Sequence, residues 1–149
     1  MAGKTNIRFA ESADLEAIRD LVIELAIFEK EPEAIIATNE DYMKAYKSGL
    51  IKVLVAEIDA DIVGMALFYD TFSTWKGKML YLEDFVVKEA HRSAGIGKQL
   101  FDATLAYAQM SGCKLIKWQV LDWNERAINF YEREGATIER EWWNGKIIF

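Results

Sequence analysis

The chain has 149 residues, of which 52% are hydrophobic and 13% aromatic, and its formal net charge at pH 7 is −6. This length and apolar content predict one globular domain with a buried core and exclude an intrinsically disordered chain. The acidic balance argues against nucleic-acid binding, which needs a basic surface to release phosphate counterions, and it would suit a cationic partner.

A metal centre, a disulfide and a membrane segment are not expected either. Cys113 is the single cysteine, and with one histidine in the chain no cluster of metal ligands is predicted. Charged residues interrupt every long apolar run, and the first residues lack the apolar core of a secretory signal. We therefore expect no membrane partner and a cytoplasmic location.

The N-terminal part of the chain predicts a strand and two helices. Asn6–Ala10 is the expected strand, and Ser12 is expected to cap an amphipathic helix that ends near Glu29. Thr38, with Asp41 three residues later, has the pattern of a capping box at the start of a second helix.

The middle of the chain predicts a hairpin, a further strand and a helix. Lys52–Ile58 and Ile62–Tyr69 are expected to pair, and the polar segment Thr71–Lys78 is expected to link them to a buried strand, Tyr81–Val87. That strand leads through a turn with two glycines into the helical run Leu100–Met110. Because the first N–H groups of a helix lack intrahelical acceptors, this turn is a candidate phosphate site.

The C-terminal part predicts a strand, a helix and a hairpin. Lys114–Val120 alternates as a strand, and Asn124 caps a helix that ends near Glu134. Thr137–Trp142 and Lys146–Phe149, joined by an Asn-Gly turn, are the expected hairpin. The order is strand, two helices, three strands, helix, strand, helix and two strands. It predicts an α/β fold with a mixed sheet and helices on its faces.

The glycine turn, from Arg92 to Gly97, departs from two common phosphate motifs. A P-loop needs a glycine where Arg92 stands and a serine or threonine where Gln99 stands. A dinucleotide-binding fingerprint needs a third glycine where Leu100 stands. The turn fits Arg-x-x-Gly-x-Gly, in which Gly95 and Gly97 let the backbone approach a ligand and Arg92 adds charge near phosphates.

Three segments together resemble the GCN5-related N-acetyltransferases (GNAT) over nearly the whole chain: Tyr81–Val87, Arg92–Gly97 and Trp123–Ala136. Within that family the chain resembles the diamine and polyamine (spermidine/spermine) and thialysine N-acetyltransferase branch, through Tyr81–Phe85, Trp75–Lys78 and Glu24–Glu29. The resemblance implies one GNAT domain over residues 1–149, a mostly antiparallel central sheet, and acetyl-CoA as co-substrate without a metal.

The resemblance also implies how coenzyme A is held. In the family, the strand at Phe85–Val87 diverges from its neighbour and its free backbone groups pair with the pantetheine amides, as in β-augmentation. The branch usually carries glycine where this chain has Ser93. The cofactor-binding residues implied are Phe85, Val86, Val87, Arg92, Ser93, Ala94, Gly95, Ile96, Gly97, Lys98, Asn124, Ala127 and Tyr131.

Acetyl transfer from a thioester to an amine requires two proton movements, because the alkylammonium must lose a proton and the thiolate leaves more readily when protonated. Glu83 is the expected base, directly or through water. Asp84 is the alternative, and in a regular strand it would point to the opposite face. The resemblance makes Tyr131 the general acid, because its hydroxyl stays protonated at pH 7 and can donate a hydrogen bond.

The predicted substrate is a small-molecule amine such as a diamine, a polyamine or a basic amino acid. Its site would combine acidic and aromatic side chains from Phe28, Glu29, Trp75, Glu83 and Asp84. Phe28 stands where the branch commonly has tyrosine, which removes a hydroxyl from this site. The tryptophans near the C-terminus predict a homodimer. An acetyltransferase of protein N-termini or lysines, and a non-catalytic acyl-CoA-binding module, remain alternatives.

Overall fold

The computed structural model describes residues 3–149, which cluster into two compact units. The first unit ends at Trp118 and contains β1 (Asn6–Phe9), α1 (Leu15–Phe28), α2 (Asn39–Ser48), β2 (Lys52–Ile58), β3 (Asp61–Ser73), β4 (Gly77–Val87), α3 (Ile96–Met110) and β5 (Leu115–Lys117). The second unit, Gln119–Phe149, contains α4 (Glu125–Arg133). Among these residues, none of the helices combines the length and apolar character needed to cross a bilayer.

The five strands form one sheet in the order β1-β2-β3-β4-β5. Every neighbouring pair is antiparallel except β4 and β5, which run parallel. The predicted α/β class and the mostly antiparallel sheet are therefore confirmed. The assignment of residues 1–149 to one domain stays a prediction.

Helices cover both faces of the sheet in the first unit. One face buries Val53, Val55, Met65 and Leu67 in a cluster with Ile18 and Leu21 of α1. On the other face, the Phe68 ring lies 5.3 Å from that of Tyr107, and the Phe85 ring lies 5.8 Å from that of Phe101, both on α3. Strand alternation thus assigns successive side chains of β3 to different helices.

Gly64 on β3 allows α3 to approach the sheet closely. A Cβ atom at this position would lie 3.0 Å from the carbonyl oxygen of Val86 and 3.1 Å from Cδ1 of Leu100. A larger residue would push α3 or β4 outward, because a packed core absorbs extra volume poorly.

Two of the predicted helix caps are confirmed. Thr38 Oγ1 accepts the N–H of Asp41 at 3.2 Å, and the Asp41 carboxylate accepts the N–H of Thr38 at 2.7 Å, which forms the expected capping box. Asn124 Oδ1 accepts the N–H of Ala127 at 3.2 Å at the start of α4.

The predicted cap at Ser12 is wrong. A single 3-10 turn begins at this residue, and the carboxylate of Asp14 accepts the N–H of Glu11 at 2.7 Å. The same carboxylate bonds the guanidinium of Arg8 at 2.7 Å. A charged acceptor forms stronger hydrogen bonds than a serine hydroxyl, so Asp14 organises this turn.

The predicted link at Thr71–Lys78 is wrong for most of its length. β3 continues to Ser73, opposite Gly77 at the start of β4, so only residues 74–76 join the two strands. Threonine and aromatic residues favour strands, and the polar content of the segment concealed that preference.

The predicted C-terminal hairpin is also wrong, since residues 137–149 form no strand. Within the second unit, Trp142, Trp143 and Phe149 are exposed, so the expected hairpin has no buried apolar face. An isolated two-stranded hairpin is marginally stable in water without such a face. The preceding strand is shorter than predicted as well, and covers only Leu115–Lys117.

Candidate active site

The candidate site is organised by a β-bulge in β4. Leu67 of β3 pairs with Asp84 and Phe68 pairs with Leu82, so Glu83 is the extra residue between them. The bulge interrupts the regular alternation, and Tyr81 and Asp84 therefore share the sheet face that carries Leu67. The regular strand assumed from the sequence, with Glu83 and Asp84 on opposite faces, is wrong.

Two predicted carboxylates, those of Glu83 and Glu29, lie within electrostatic reach of a third, that of Asp84. Burial raises the pKa of Asp84 to about 6, and the charges of Glu83 and Glu29 add to this effect. Burial also raises the pKa of Glu29, at the end of α1. A bound cation would offset the electrostatic repulsion between these partly buried carboxylates.

Tyrosine hydroxyls surround these carboxylates. The Tyr69 hydroxyl donates a hydrogen bond of 2.8 Å to Oε2 of Glu83. Burial and the charge of Glu83 both raise the pKa of Tyr69 and Tyr81. From α2, the pKa of Tyr42 is raised by burial and by Asp84, and Arg19 opposes that effect. All three phenols therefore remain hydrogen-bond donors at neutral pH.

Sequence reasoning missed Tyr42 and Tyr69. Tyr69 follows Met65 and Leu67 at strand spacing, which could have placed it on the same face of β3. Its contact with Glu83 could not have been found, because that contact requires the register between β3 and β4 and the position of the bulge.

The predicted cofactor region lies further along β4 and at the start of α3. The Phe85 side chain packs against Phe101, and Val86 is buried in the core. Both side chains thus face the interior of the protein, which leaves the main chain of this segment for other partners. β5 pairs with β4 only at residues 79–81, so no strand of the described chain adjoins that edge of β4 at residues 82–87.

The glycine turn has the backbone of an exposed loop that leads into a buried helix. Ser93 and Gly95 have positive φ angles of 69° and 80°, and the space around a Cβ atom on Gly95 is open. Ile96 is buried and anchors the first turn of α3. At Gly97 a Cβ atom would lie 3.9 Å from the Phe85 ring, so this first turn rests on the end of β4. Lys98 is exposed and pairs with Asp102 at 3.3 Å.

Arg92 connects the glycine turn to the end of α1. Its Nε donates to the carbonyl of Val87 at 3.0 Å, and its guanidinium carbon lies 6.0 Å from the centroid of the Phe28 ring. Phe28 is 45% exposed. The predicted contact between Arg92 and a phosphate group stays a prediction, as does a role for Phe28 toward the amine.

Trp75 is not brought to the carboxylates within the first unit. It is 83% exposed in the turn before β4. Glu83 is six steps along β4 from Gly77, which corresponds to about 20 Å at 3.3 Å per residue. In residues 3–149, no three histidine, cysteine or carboxylate side chains gather as metal ligands would.

The remaining predicted residues belong to the second unit. Asn124 caps α4 through the N–H of Ala127, as described above. Tyr131 lies on the same helix and is buried, with 7% of its surface exposed. The helix ends at Arg133, and Gly135 follows with a φ of 93°.

Comparison with known proteins gives a consistent result. Residues 15–136 match the model of the acetyltransferase (GNAT) family. A thialysine N-epsilon-acetyltransferase from Bos taurus is 36% identical over 93% of this chain and 88% of its own length. A spermidine/spermine N(1)-acetyltransferase-like protein 1 from Homo sapiens is 34% identical over 87% of this chain, although the match covers only 20% of that protein.

Solved structures share the fold. An aminoglycoside N-acetyltransferase in complex with CoA superposes with a TM-score of 0.78 over 98% of this chain and 96% of its own. At 17% sequence identity, this likeness concerns the fold alone.

Proposed function

Since the chain belongs to the acetyltransferase (GNAT) family, we propose that it transfers the acetyl group of acetyl-CoA to a primary amine of a small cationic substrate. The amine is a diamine, a polyamine or a basic amino acid. The observation that carries this proposal is the bulge, which brings Glu83 and Asp84 together beside the Tyr69 hydroxyl, with Glu29 near enough to raise the pKa of Asp84.

The carboxylates explain how such a substrate would be selected. A second ammonium or α-amino group would relieve the repulsion between Asp84 and Glu29, and the reacting amine would lie near Glu83. The names of the two relatives, which refer to thialysine and to spermidine and spermine, support an amine with more than one charged group.

The cofactor would bind through the main chain of the first unit. In this proposal the pantetheine amides pair with the open edge of β4 at residues 85–87, and the pyrophosphate is bound by the N–H groups of residues 93–98 at the start of α3. Family membership and the structural likeness to a CoA complex support acetyl-CoA as the co-substrate.

The proposed reaction is direct attack in a ternary complex. The amine nitrogen attacks the thioester carbonyl, its proton passes to Glu83 directly or through water, and the carbon–sulfur bond breaks. The sulfur leaves with the bonding electron pair and receives the proton of Tyr131. Asn124 and Ala127 contribute to cofactor binding from the same helix as Tyr131.

Thiol release tests this proposal. Acetyl-CoA with a panel of spermidine, putrescine, thialysine, lysine and ornithine should yield free CoA thiol with at least one amine, and a peptide arm should yield less. Faster reaction with peptides would favour a protein acetyltransferase. Cofactor binding without reaction toward any acceptor would favour a non-catalytic module.

Tyr131→Phe tests the proposed acid in the same assay. We expect kcat to fall by about 10²-fold while the Kd of CoA changes little, because the phenol acts on the leaving group in the transition state. Equal losses in both quantities would leave Tyr131 as a binding residue only.

A homodimer is part of the proposal. Trp142 and Trp143 are 68% and 93% exposed in the second unit, and exposed aromatic clusters of this kind mark protein interfaces. Sedimentation equilibrium should give twice the chain mass, and serine at both positions should reduce it to one.

A further inference from the structure

Glu83 is a poor candidate for a precisely placed base when it is considered alone. It is exposed and lies at the bulge, where it has no partner residue on β3. A glutamate side chain loses much rotational freedom when it is fixed in one geometry. A proton acceptor that must meet a bound amine therefore needs a group that holds it in place.

Tyr69 supplies that group from the neighbouring strand. Its hydroxyl donates to Oε2 of Glu83 at 2.8 Å. Its ring is itself held, because Tyr69 pairs directly with Tyr81 across the sheet. The two rings stack with centroids 5.6 Å apart and planes inclined by 24°. A tyrosine on a central strand has few accessible conformers, so the carboxylate is tied to a rigid part of the fold.

We infer that Tyr69 is a positioning residue that holds Oε2 of Glu83 so that Oε1 faces the reacting amine. This inference rests on the proposed role of Glu83 as the base. It assigns a function to a residue that makes no contact with the reacting atoms. In the stacked pair, Tyr69 holds the Glu83 carboxylate and Tyr81 supports the ring of Tyr69.

The two carboxylate oxygens of Glu83 have different roles in the proton transfer. Glu83 accepts the amine proton on Oε1 while Oε2 keeps the hydrogen bond, and the nitrogen then carries the new bond to the acetyl carbon. Tyr69 retains its proton throughout, since burial and the neighbouring charge of Glu83 raise its pKa. The benefit of the hydrogen bond lies in the position that it gives to the carboxylate.

The neighbouring groups do not offer an equivalent contact. The charge of Glu83 raises the pKa of Tyr81, and Asp84 carries a charge of the same sign that repels Glu83. The charge of Glu29 raises the pKa of Asp84. The pKa of Tyr42 responds to Asp84 and to Arg19. Among these groups, only Tyr69 carries a hydrogen bond to the Glu83 carboxylate.

The test compares Tyr69→Phe with Tyr81→Phe. Both variants remove one phenol oxygen from the same stacked pair and keep the rings. Tyr69→Phe should lower kcat by about tenfold, the effect of losing a hydrogen bond to a charged group, with KM values for amine and acetyl-CoA within about twofold of wild type. Tyr81→Phe should lower kcat less than Tyr69→Phe does, because Tyr81 makes no hydrogen bond to the Glu83 carboxylate. Equal losses in the two variants would overturn the inference.

A double variant shows whether Tyr69 acts through Glu83. In a Glu83→Gln background, Tyr69→Phe should have no further effect on kcat, because the residue that it positions has lost its function. A full tenfold loss in that background would overturn the inference. If Glu83→Gln alone keeps wild-type kcat, the proposed base fails and this inference fails with it. If only Glu83→Gln lowers kcat, the base stands and the role of Tyr69 is refuted.

A spectroscopic measurement is independent of turnover. In protein with ¹³Cζ-labelled tyrosine, Glu83→Gln should shift the Tyr69 resonance, and Glu24→Gln on exposed α1 surface should leave it unchanged. An unshifted Tyr69 resonance in Glu83→Gln would show that the hydrogen bond is absent in solution and would overturn the inference.

Discussion

The proposed amine region and the proposed cofactor region of the first unit are built from different parts of the polypeptide. The amine region uses side chains from four elements: Glu29 at the end of α1, Tyr42 on α2, Tyr69 on β3 and Asp84 on β4. The cofactor region uses the main chain of one continuous segment, residues 85–98, whose Phe85 and Val86 side chains pack into the core. Substitutions should therefore act differently in the two regions, since the amine region depends on side-chain chemistry and the cofactor region, apart from the charge of Arg92, depends on the main chain.

The largest expected effect is that of Glu83→Gln. This change keeps the size of the side chain and removes the proton acceptor, so kcat should fall by about 10²- to 10³-fold. The Kd of CoA, measured by calorimetry, should stay within about twofold of wild type. A comparable loss of CoA affinity would break the distinction between the two regions.

Asp84→Asn should alter how stability depends on pH. The pKa of Asp84 in the folded protein, about 6, lies above its ordinary value of 3.8, so the folded state binds this proton more tightly than the unfolded state. That contribution to stability is complete below pH 4 and is lost as pH rises through 6. The asparagine variant should gain roughly 2–3 kcal/mol relative to wild type between pH 4 and pH 7.5.

Denaturant titrations at the two pH values measure this gain. An Asp84→Asn difference that does not depend on pH would contradict the burial of that carboxylate. The KM for the amine should rise in Asp84→Asn, because a charge that attracts the substrate is lost.

Gly95→Ala tests the backbone character of the cofactor region. Gly95 has a φ of 80°, where an alanine costs roughly 1–2 kcal/mol, and its Cβ would enter the open space above the turn. Gly112→Ala is a matched control, since Gly112 has a φ of 84° and equally open surroundings at the other end of α3. Both variants should lose similar stability, and only Gly95→Ala should weaken CoA binding, by about tenfold.

Ser93→Gly should have the smallest effect. Ser93 has a φ of 69°, so glycine relieves strain but adds freedom to the unfolded chain, and the net stabilisation should stay below about 1 kcal/mol. Ser12→Gly, at a position without positive φ, should instead be neutral or destabilising. CoA affinity should not change in Ser93→Gly, because the N–H group at this position is retained.

The same difference between the regions explains what the sequence could reveal. The cofactor segment is continuous, so its strand, its glycine turn and its helix could be predicted from local pattern. The positive φ of Ser93 lies in the region that glycine adopts most easily, so this position of the turn has a local backbone signal of its own. The family, the α/β class and the caps at Thr38 and Asn124 followed from similarly local signals.

Apart from the cap at Ser12, the errors occurred where an outcome depends on pairing between distant residues. The bulge at Glu83 depends on how Leu67 and Phe68 pair with β4, and no residue type in β4 announces it. The Tyr69 contact depends on the same register. Residues 71–73 have the composition of a polar linker, but they extend β3 because they pair with residues 77–79 of β4. The C-terminal hairpin had a correct turn signal without an apolar surface to cover its strands.

The bulge at Glu83 also constrains how this protein can change over evolutionary time. In a strand with a side-chain period of two, one extra residue reverses the face of every residue beyond it. A substitution at Glu83 would leave that phase intact and affect only chemistry. A deletion of Glu83 would instead restore regular alternation between Leu82 and Asp84, keep Tyr81, Asp84 and Val86 on one face, and remove the carboxylate that the Tyr69 hydroxyl contacts. A loss of the bulge residue is thus compatible with the pairing of the sheet and would be selected on its chemistry, whereas a length change elsewhere in β4 would reverse the faces of buried residues.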